Sequence, residues 1–472
     1  MQSRFLIYTI VIALSVAAIV GVVQLGERWH PSGGNVAVSS SAAPGQDGAT
    51  ATLARPLALL IVQLLVIVLA TQLAGAIATR LRQPAVIGEI AAGLMLGPSL
   101  LGQVSPAAAA FLFPDSSLGV LQLLSQLGII LFMFSVGLEV DFGHLRERAP
   151  TAVAVSHFSI VVPFLLGVVA ALPLYSHYAP AGIPFHSFAL FMGIALSITA
   201  FPVLARVLEE RGMTKTPLGT TALACAAVDD VTAWSLLALV VTLATAGGVG
   251  GTLAMMVASL AAFTIVMVWA VRPAIGRLLA GAAPTASMTL LSRGRMAQVL
   301  LLLFASALVT EVIGIHALFG AFFAGTIMPA DRELRSQLRE RFETLSSVFL
   351  LPIFFAYTGL RTQIGLLNDA ANWAVCGAII LTAIVGKLLG SMLAARWSGA
   401  TWHDAFVLGT LMNTRGLMEL VALNVGYDLG ILSPQMFTML VVMALVTTVM
   451  TGPLLDLASS PDARRAGTIA RR

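Results

Sequence analysis

Thirteen apolar stretches, preceded by one more near the start, leave this chain few ways to fold. A bilayer core about 30 Å thick takes about 20 residues of helix, and inside it every backbone N–H and C=O must find a partner without water. The stretches cover 56–79, 84–102, 118–140, 150–173, 184–208, 217–246, 252–271, 296–312, 316–330, 344–360, 371–396, 404–427 and 434–457, and the leading one covers 5–25. The expected fold is an all-α polytopic membrane protein with thirteen core transmembrane helices plus one N-terminal hydrophobic segment. Only 10% of the 472 residues are charged and 58% are hydrophobic, against about 25% charged in soluble domains. That excludes a soluble enzyme, a disordered chain and a nucleic-acid-binding protein. Cys225 and Cys376 lie inside apolar stretches, so neither a disulfide framework nor a cysteine metal site is expected.

Lys and Arg near membrane ends stay on the cytoplasmic side, and here they fall on alternate connections. Arg80 and Arg82, Arg146 and Arg148, Arg206 to Lys215, Arg272 to Arg295, Arg332 to Arg341, Arg396 and the tail's Arg464 to Arg472 mark one side. The other side holds only Arg28, Arg55 and Arg361. The core therefore begins outside and ends in the cytoplasm. Residues 1–54 read as a signal peptide or retained anchor followed by a flexible external linker, 55–457 as the membrane domain and 458–472 as a short cytoplasmic tail.

Self-comparison reveals two related halves. Ala85-Val-Ile-Gly88-Glu-Ile-Ala-Ala92-Gly93 aligns with Ala317-Leu-Phe-Gly320-Ala-Phe-Phe-Ala324-Gly325 at an offset of 232. Phe132-Met-Phe-Ser-Val-Gly137-Leu138 aligns with Phe354-Phe-Ala-Tyr-Thr-Gly359-Leu360 at an offset of 222. Partners lie seven segments apart, and an odd separation inverts the topology. Inverted repeats over about 55–246 and 296–457, joined by a linker helix at 252–271, are the expectation, and this architecture is common in secondary transporters.

A charge at the bilayer centre costs about 2.5–3.5 kcal/mol on insertion scales, so each buried one needs a reason. Asp229 and Asp230 sit midway along an apolar run. Successive helical residues point about 100° apart, so one can face a ligand cavity while the other faces a neighbouring helix. Two buried carboxylates repel when both are ionised, which suits a proton carrier. Lys387, at mid-depth of its own run, is the obvious counter-charge for one of them. In Ser197-Ile-Thr199-Ala-Phe-Pro202 the proline removes a backbone donor inside an apolar run and frees carbonyls for a cation. Seven segments on, Met412-Asn413-Thr414-Arg415-Gly416-Leu417-Met418-Glu419 is its counterpart. Paired interruptions of this kind point to a transporter's substrate site. Arg415 and Glu419 are spaced to pair with each other, and Arg415 could equally balance half-helix ends at the break. No Walker A, HExxH or G-x-S-x-G sequence occurs, so nothing supports ATP-driven pumping or the familiar hydrolase chemistries.

These motifs resemble the second branch of the monovalent cation:proton antiporters, which includes bacterial sodium/proton exchangers, the membrane part of glutathione-gated potassium efflux systems and plant cation/proton exchangers. The resemblance runs from about Arg55 to Leu457. It is carried by Gln83-Pro84-Ala-Val-Ile-Gly88-Glu-Ile with Gly93-x-x-x-Gly97-Pro98, Phe134-Ser-Val-Gly137-Leu138-Glu139, Thr199-Ala-Phe-Pro202-Val, Asp229-Asp230 and Asn413-Thr414-Arg415-Gly416-Leu-Met-Glu419-Leu. It implies a homodimer in a bacterial inner membrane, two crossed discontinuous helices, and exchange of sodium or potassium for protons by alternating access, with no cofactor. It assigns Asp230 as the essential ion- and proton-binding aspartate, Asp229 as the preceding polar position that joins it in binding the proton or monovalent cation, and Lys387 as an aspartate partner. Thr199 and the Asn413 to Gly416 segment supply facing oxygens to the monovalent cation. The large nucleotide-binding domain of the potassium efflux relatives has no counterpart in the short tail expected here, so gating by that route is not expected. A cation channel or uniporter of the same fold is the alternative, while adjacent rather than separated aspartates count against an intramembrane protease.

Overall fold

The computed structural model describes residues 56–81, 83–139, 149–214, 216–245, 250–280, 292–313 and 316–458. The expected N-terminal hydrophobic segment and linker, and all but the start of the expected tail, lie outside the described residues. The order is α1 (Pro56–Arg80), α2 (Ala85–Leu96), α3 (Leu101–Val104), α4 (Pro106–Leu112), α5 (Asp115–Glu139), α6 (Ala149–Tyr178), α7 (Phe185–Ser197), α8 (Phe201–Glu210), α9 (Pro217–Thr245), α10 (Gly250–Val266) and α11 (Arg272–Ala280). The second part holds α12 (Arg293–Ile313), α13 (Ala317–Thr326), α14 (Arg332–Leu345), α15 (Leu351–Arg361), α16 (Ala370–Ile384), α17 (Gly390–Trp397), α18 (Trp402–Met412), α19 (Leu417–Asp428) and α20 (Pro434–Ala458). Single π-helical turns join α10 to α11, α14 to α15 and α16 to α17. Among the described residues there is no strand.

Among the described residues, ten helices are long and apolar enough to cross a membrane, or eleven if the bent pair α18 and α19 counts as one span. The sequence leads to thirteen, and the difference lies in two short apolar helices. The run at 184–208 is cut at residues 198–200, which leaves α7 with thirteen residues. The run at 316–330 is helical for only ten residues.

Among the described residues, buried hydrophobic side chains fall into two clusters. One gathers α6 to α9 and α16 to α20, and the other gathers α1, α4, α5 and α10 to α15. Helices α2, α5, α13 and α15 run along the seam, and glycines there let backbones touch. A Cβ on Gly93 in α2 would lie 2.2 Å from the Phe355 carbonyl oxygen in α15, and one on Gly325 in α13 would lie 2.3 Å from that of Phe134 in α5. Their sequence partners answer in kind: a Cβ on Gly137 would stand 2.2 Å from the Phe322 oxygen, and one on Gly359 2.0 Å from the Gly93 carbonyl carbon. The same holds one layer out, where Gly88 abuts Ala74 and Gly320 abuts Ser306, each at 2.1 Å from a would-be Cβ to a carbonyl oxygen. Gly88 to Gly320 and Ala74 to Ser306 share the offset of 232 found in the sequence. The internal repeat is thus a repeat of contacts as well as of letters, as small-residue packing between membrane helices allows.

At one end of the seam, Arg361 of α15 bonds Asn424 Oδ1 (3.0 Å) and Asp428 Oδ1 (2.5 Å) of α19. Its guanidinium also lies 4.3 Å from the Tyr427 ring centroid. These contacts tie one bundle to the other.

Replacing Gly93 by alanine drives a methyl group into backbone that cannot move aside, and overpacking of this kind costs about 1–3 kcal/mol or more. Gly119, on the open face of α5 with nothing within 4 Å, is the control, since alanine in an open helix position gains about 0.5–1 kcal/mol. Thermal unfolding of the purified protein in detergent is expected to fall for Gly93→Ala and to hold or rise for Gly119→Ala.

Candidate ion-binding site

Two interrupted helices meet at the centre of the first bundle. Helix α7 ends at Ser197 and α8 begins at Phe201, with Ile198 and Ala200 extended between them. Pro202 stands in the first turn of α8, where a helix makes no use of the missing N–H. The break therefore precedes the proline, and the donor loss expected from the sequence does not arise in mid-helix. The second interruption runs from Asn413 to Gly416 and bends α18 against α19 by 44°. Gly416 has φ 140°, a conformation that only glycine adopts freely. The breaks bond to each other: Ala200 N donates to Thr414 O at 3.0 Å, and Thr199 Oγ1 lies 3.2 Å from Met412 O.

Breaking α7 inside an apolar bundle leaves its last carbonyls without intrahelical partners and concentrates the negative end of its dipole. Two cations from the other half of the chain meet that end. Arg415 donates to Ala195 O (2.8 Å) and to Leu196 O, and Lys387 Nζ donates to Ser197 O. Lys387 lies in the π-helical turn Val385–Leu389, flanked by Gly386 and Gly390. Each of these glycines admits α6 closely: a Cβ on Gly386 would be 2.9 Å from Pro163 Cα, and one on Gly390 2.9 Å from Phe158 O.

Lys387 also bonds Ser159 O (2.9 Å) and pairs with Asp229 Oδ2 (2.9 Å), and both members of the pair are fully buried. Asp229 Oδ1 accepts from Ser159 Oγ (2.8 Å) and Ser156 Oγ (3.2 Å), while Oδ2 also accepts from Thr199 Oγ1. An ionised carboxylate offers about four lone-pair directions, and all four are taken. Asp230, the next residue on α9, is 3% exposed. Arg415 stands 3.1 Å from Glu419 Oε1 in the first turn of α19, so it both pairs with Glu419 and balances a half-helix end. Asn413 is fully buried, and neither end of its amide has a hydrogen-bond partner among the described residues. Crossed half-helices, opposed charges and carbonyls gathered around a buried carboxylate can hold a small cation or a proton out of contact with lipid.

A model of the sodium/hydrogen exchanger transmembrane family matches residues 64–457. The chain belongs to this family. It is 44% identical over 399 residues to the Na(+)/H(+) antiporter NhaS4 of Synechocystis, covering 84% of this chain and 96% of that one. It is 40% identical to Cation/H(+) antiporter 17 of Arabidopsis thaliana and 36% identical to K(+)/H(+) antiporter 1 of Saccharomyces cerevisiae, but spans only 48% and 47% of their lengths. The fold is similar to that of the sodium proton antiporter MjNhaP1 from Methanocaldococcus jannaschii, with TM-score 0.64 at 15% identity over 86% of this chain and all of that one. This sodium/hydrogen exchanger family member is a multi-pass integral membrane protein.

Of the ten residues expected at the site, Thr199, Asn413, Thr414, Arg415 and Gly416 lie on the two breaks, Pro202 just after the first, and Asp229, Asp230, Lys387 and Glu419 on the helical segments around them. Sequence reasoning missed Ser156 and Ser159, whose signal is a pair of hydroxyls spaced i, i+3 in an apolar helix. They place Asp229 against the neighbouring helix α6. Removing one partner of a buried pair strands the other and costs about 3–5 kcal/mol. Asp229→Asn and Lys387→Met are each expected to lower unfolding temperature sharply, and the double variant by less than the sum. Differential scanning fluorimetry on the four proteins checks the coupling.

Proposed function

We propose that this protein is a secondary active antiporter, not an enzyme, that exchanges a monovalent cation, sodium or potassium, for protons by alternating access. The observation that carries the reading is the meeting of two broken helices, bonded through Ala200 and Thr414, beside the buried acids of α9. Membership of a sodium/hydrogen exchanger family and likeness to antiporters named for sodium, potassium or cation exchange support it. Asp230 takes a proton or a cation in turn, and competition for one carboxylate couples the two flows. Thr199 and the oxygens of the Asn413 to Gly416 segment line the approach. An unneutralised carboxylate crosses an apolar seam only at high cost, which suppresses leak.

The halves over 55–246 and 296–457 act as inverted repeats in this reading, a pattern supported by the paired glycine contacts. The distribution of basic residues supports a core that begins outside and ends in the cytoplasm, and the resemblance supports a homodimer in a bacterial inner membrane.

The test uses everted vesicles with an acid interior and a pH-sensitive dye, to which sodium, potassium or lithium is added. Wild-type protein is expected to release protons on addition of its cation, and Asp230→Asn to respond no more than vesicles without the protein. Unchanged exchange in correctly inserted Asp230→Asn overturns the assignment of that residue. Cation uptake without proton movement in wild type makes the protein a channel or uniporter.

A further inference from the structure

Arg361 lies on the face where the sequence places almost no basic residues, and it sits in a seat built for a cation. It ends α15, and Asp428 ends α19. Two helix C-termini therefore converge on one guanidinium, where positive charge is favoured. Asp428 Oδ1 and Asn424 Oδ1 accept from it. The orientation of the Asn424 amide is fixed, because its Nδ2 donates to Thr358 Oγ1 and to Leu420 O, both at 2.9 Å, and a carbonyl can only accept. The rings of Tyr357 and Tyr427 lie 5.1 and 4.3 Å from the guanidinium carbon, and aromatic faces attract cations. One carboxylate, one amide oxygen and two rings give the seat a single formal negative charge, which one monovalent cation balances.

The seat opens inward. Asn424 and Asp428 also line a cavity between the bundles, together with Gln122, Ser125 and Gln126 of α5 and Tyr357 of α15. On α19 the cavity residues Asp428, Val425, Asn424 and Val421 follow one helical stripe, and the next turn inward reaches Leu417 and Gly416 at the break. Asn424 and Gly416 are about 12 Å apart along the helix axis. Outward, the side chains of Arg361 and Asp428 are 15% and 27% exposed, so ions in solution can reach them. Arg361 and Tyr357 belong to one bundle, whereas Asn424, Tyr427 and Asp428 belong to the other.

Resting on the exchange reading and the orientation above, we infer that Asn424 and Asp428 form an outer entry site for the transported monovalent cation, and that Arg361 is a tethered cation that fills it while this face is closed. When one bundle moves past the other, the seat on α19 leaves the arginine on α15. An external cation then takes the place of the guanidinium, one positive charge for another. Competition between the tethered and the free cation makes this face open most readily when there is an ion to receive.

Right-side-out vesicles present this face to added cation, and everted vesicles present the other. In both, proton release is followed over a range of concentrations of the cation that the vesicle assay identifies. Arg361→Gln removes the competitor and is expected to lower the half-saturating concentration in right-side-out vesicles by about three- to fivefold, the worth of a partly exposed ion pair. Asp428→Asn, close in shape and still able to accept from Arg361, is expected to raise it by a similar factor. The double variant is expected to match Asp428→Asn alone, since the arginine then has no charged seat to compete for. In everted vesicles every variant is expected to keep the wild-type half-saturating concentration. A purely structural tie instead changes the maximal rate or the unfolding temperature and leaves half-saturation alone. Unchanged half-saturation in right-side-out vesicles, an equal change on both faces, or a change confined to everted vesicles overturns the inference and leaves antiport standing. If Arg361→Gln does not fold, Asp428→Asn decides by the same readings. Absence of cation-coupled proton flux in wild type on either face removes the antiport reading and the inference with it.

Discussion

The end of α7 is the constraint on which the rest of the core depends. A helix that stops in the middle of an apolar bundle exposes carbonyls to surroundings without water, and each one left bare costs several kcal/mol. Here the carbonyls of Ala195, Leu196 and Ser197 are met by Arg415 and Lys387, so two residues of the second half complete a helix of the first. Those cations need acids in turn, which Asp229 and Glu419 provide. Removing any one member exposes another, so the cluster persists as a unit or fails as one.

Close approach makes the cluster reachable. Gly386 and Gly390 bring the lysine-bearing turn against α6, which places Ser159 and Asp229 within hydrogen-bond distance of one ammonium. At the seam the same device serves a different end. Gly93, Gly137, Gly325 and Gly359 allow α2 to meet α15 and α5 to meet α13 backbone to backbone. Arg361, with its carboxylate, amide and aromatic partners, adds a polar tie across the bundles that a purely apolar seam lacks.

Much of this was legible in the sequence because the membrane makes polarity expensive. Adjacent aspartates, a lone lysine and a paired Asn-Thr-Arg-Gly interruption in apolar runs have few explanations, and each lies where the fold concentrates charge. What stayed hidden depends on rotation about helix axes. Sequence alone indicates that Asp229 and Asp230 point in different directions, but the choice of partner for Lys387 follows from the packing of α6. Ser156 and Ser159 passed unnoticed because hydroxyls are cheap enough in membrane helices to occur without purpose, bonding back to their own carbonyls. Pro202 misled for a related reason: a proline ends one helix or opens the next with the same letters, and only the backbone reveals which. The helix count differed because an apolar run measures hydropathy and says nothing of where the helix inside it is cut.

The paired glycine contacts carry a consequence for ancestry. If each half once existed as a separate gene product, it assembled with an upside-down copy of itself, and every residue appeared twice in the complex. Such an assembly cannot place an acid on one side of the crossing and a base on the other without repeating both by symmetry. Two copies that differ in sequence are free of that restriction. The half with α9 could specialise in carboxylates while the other acquired Lys387 and Arg415. The asymmetry of charge in this core is one that an assembly of two identical halves cannot have, because it requires two halves that differ in sequence.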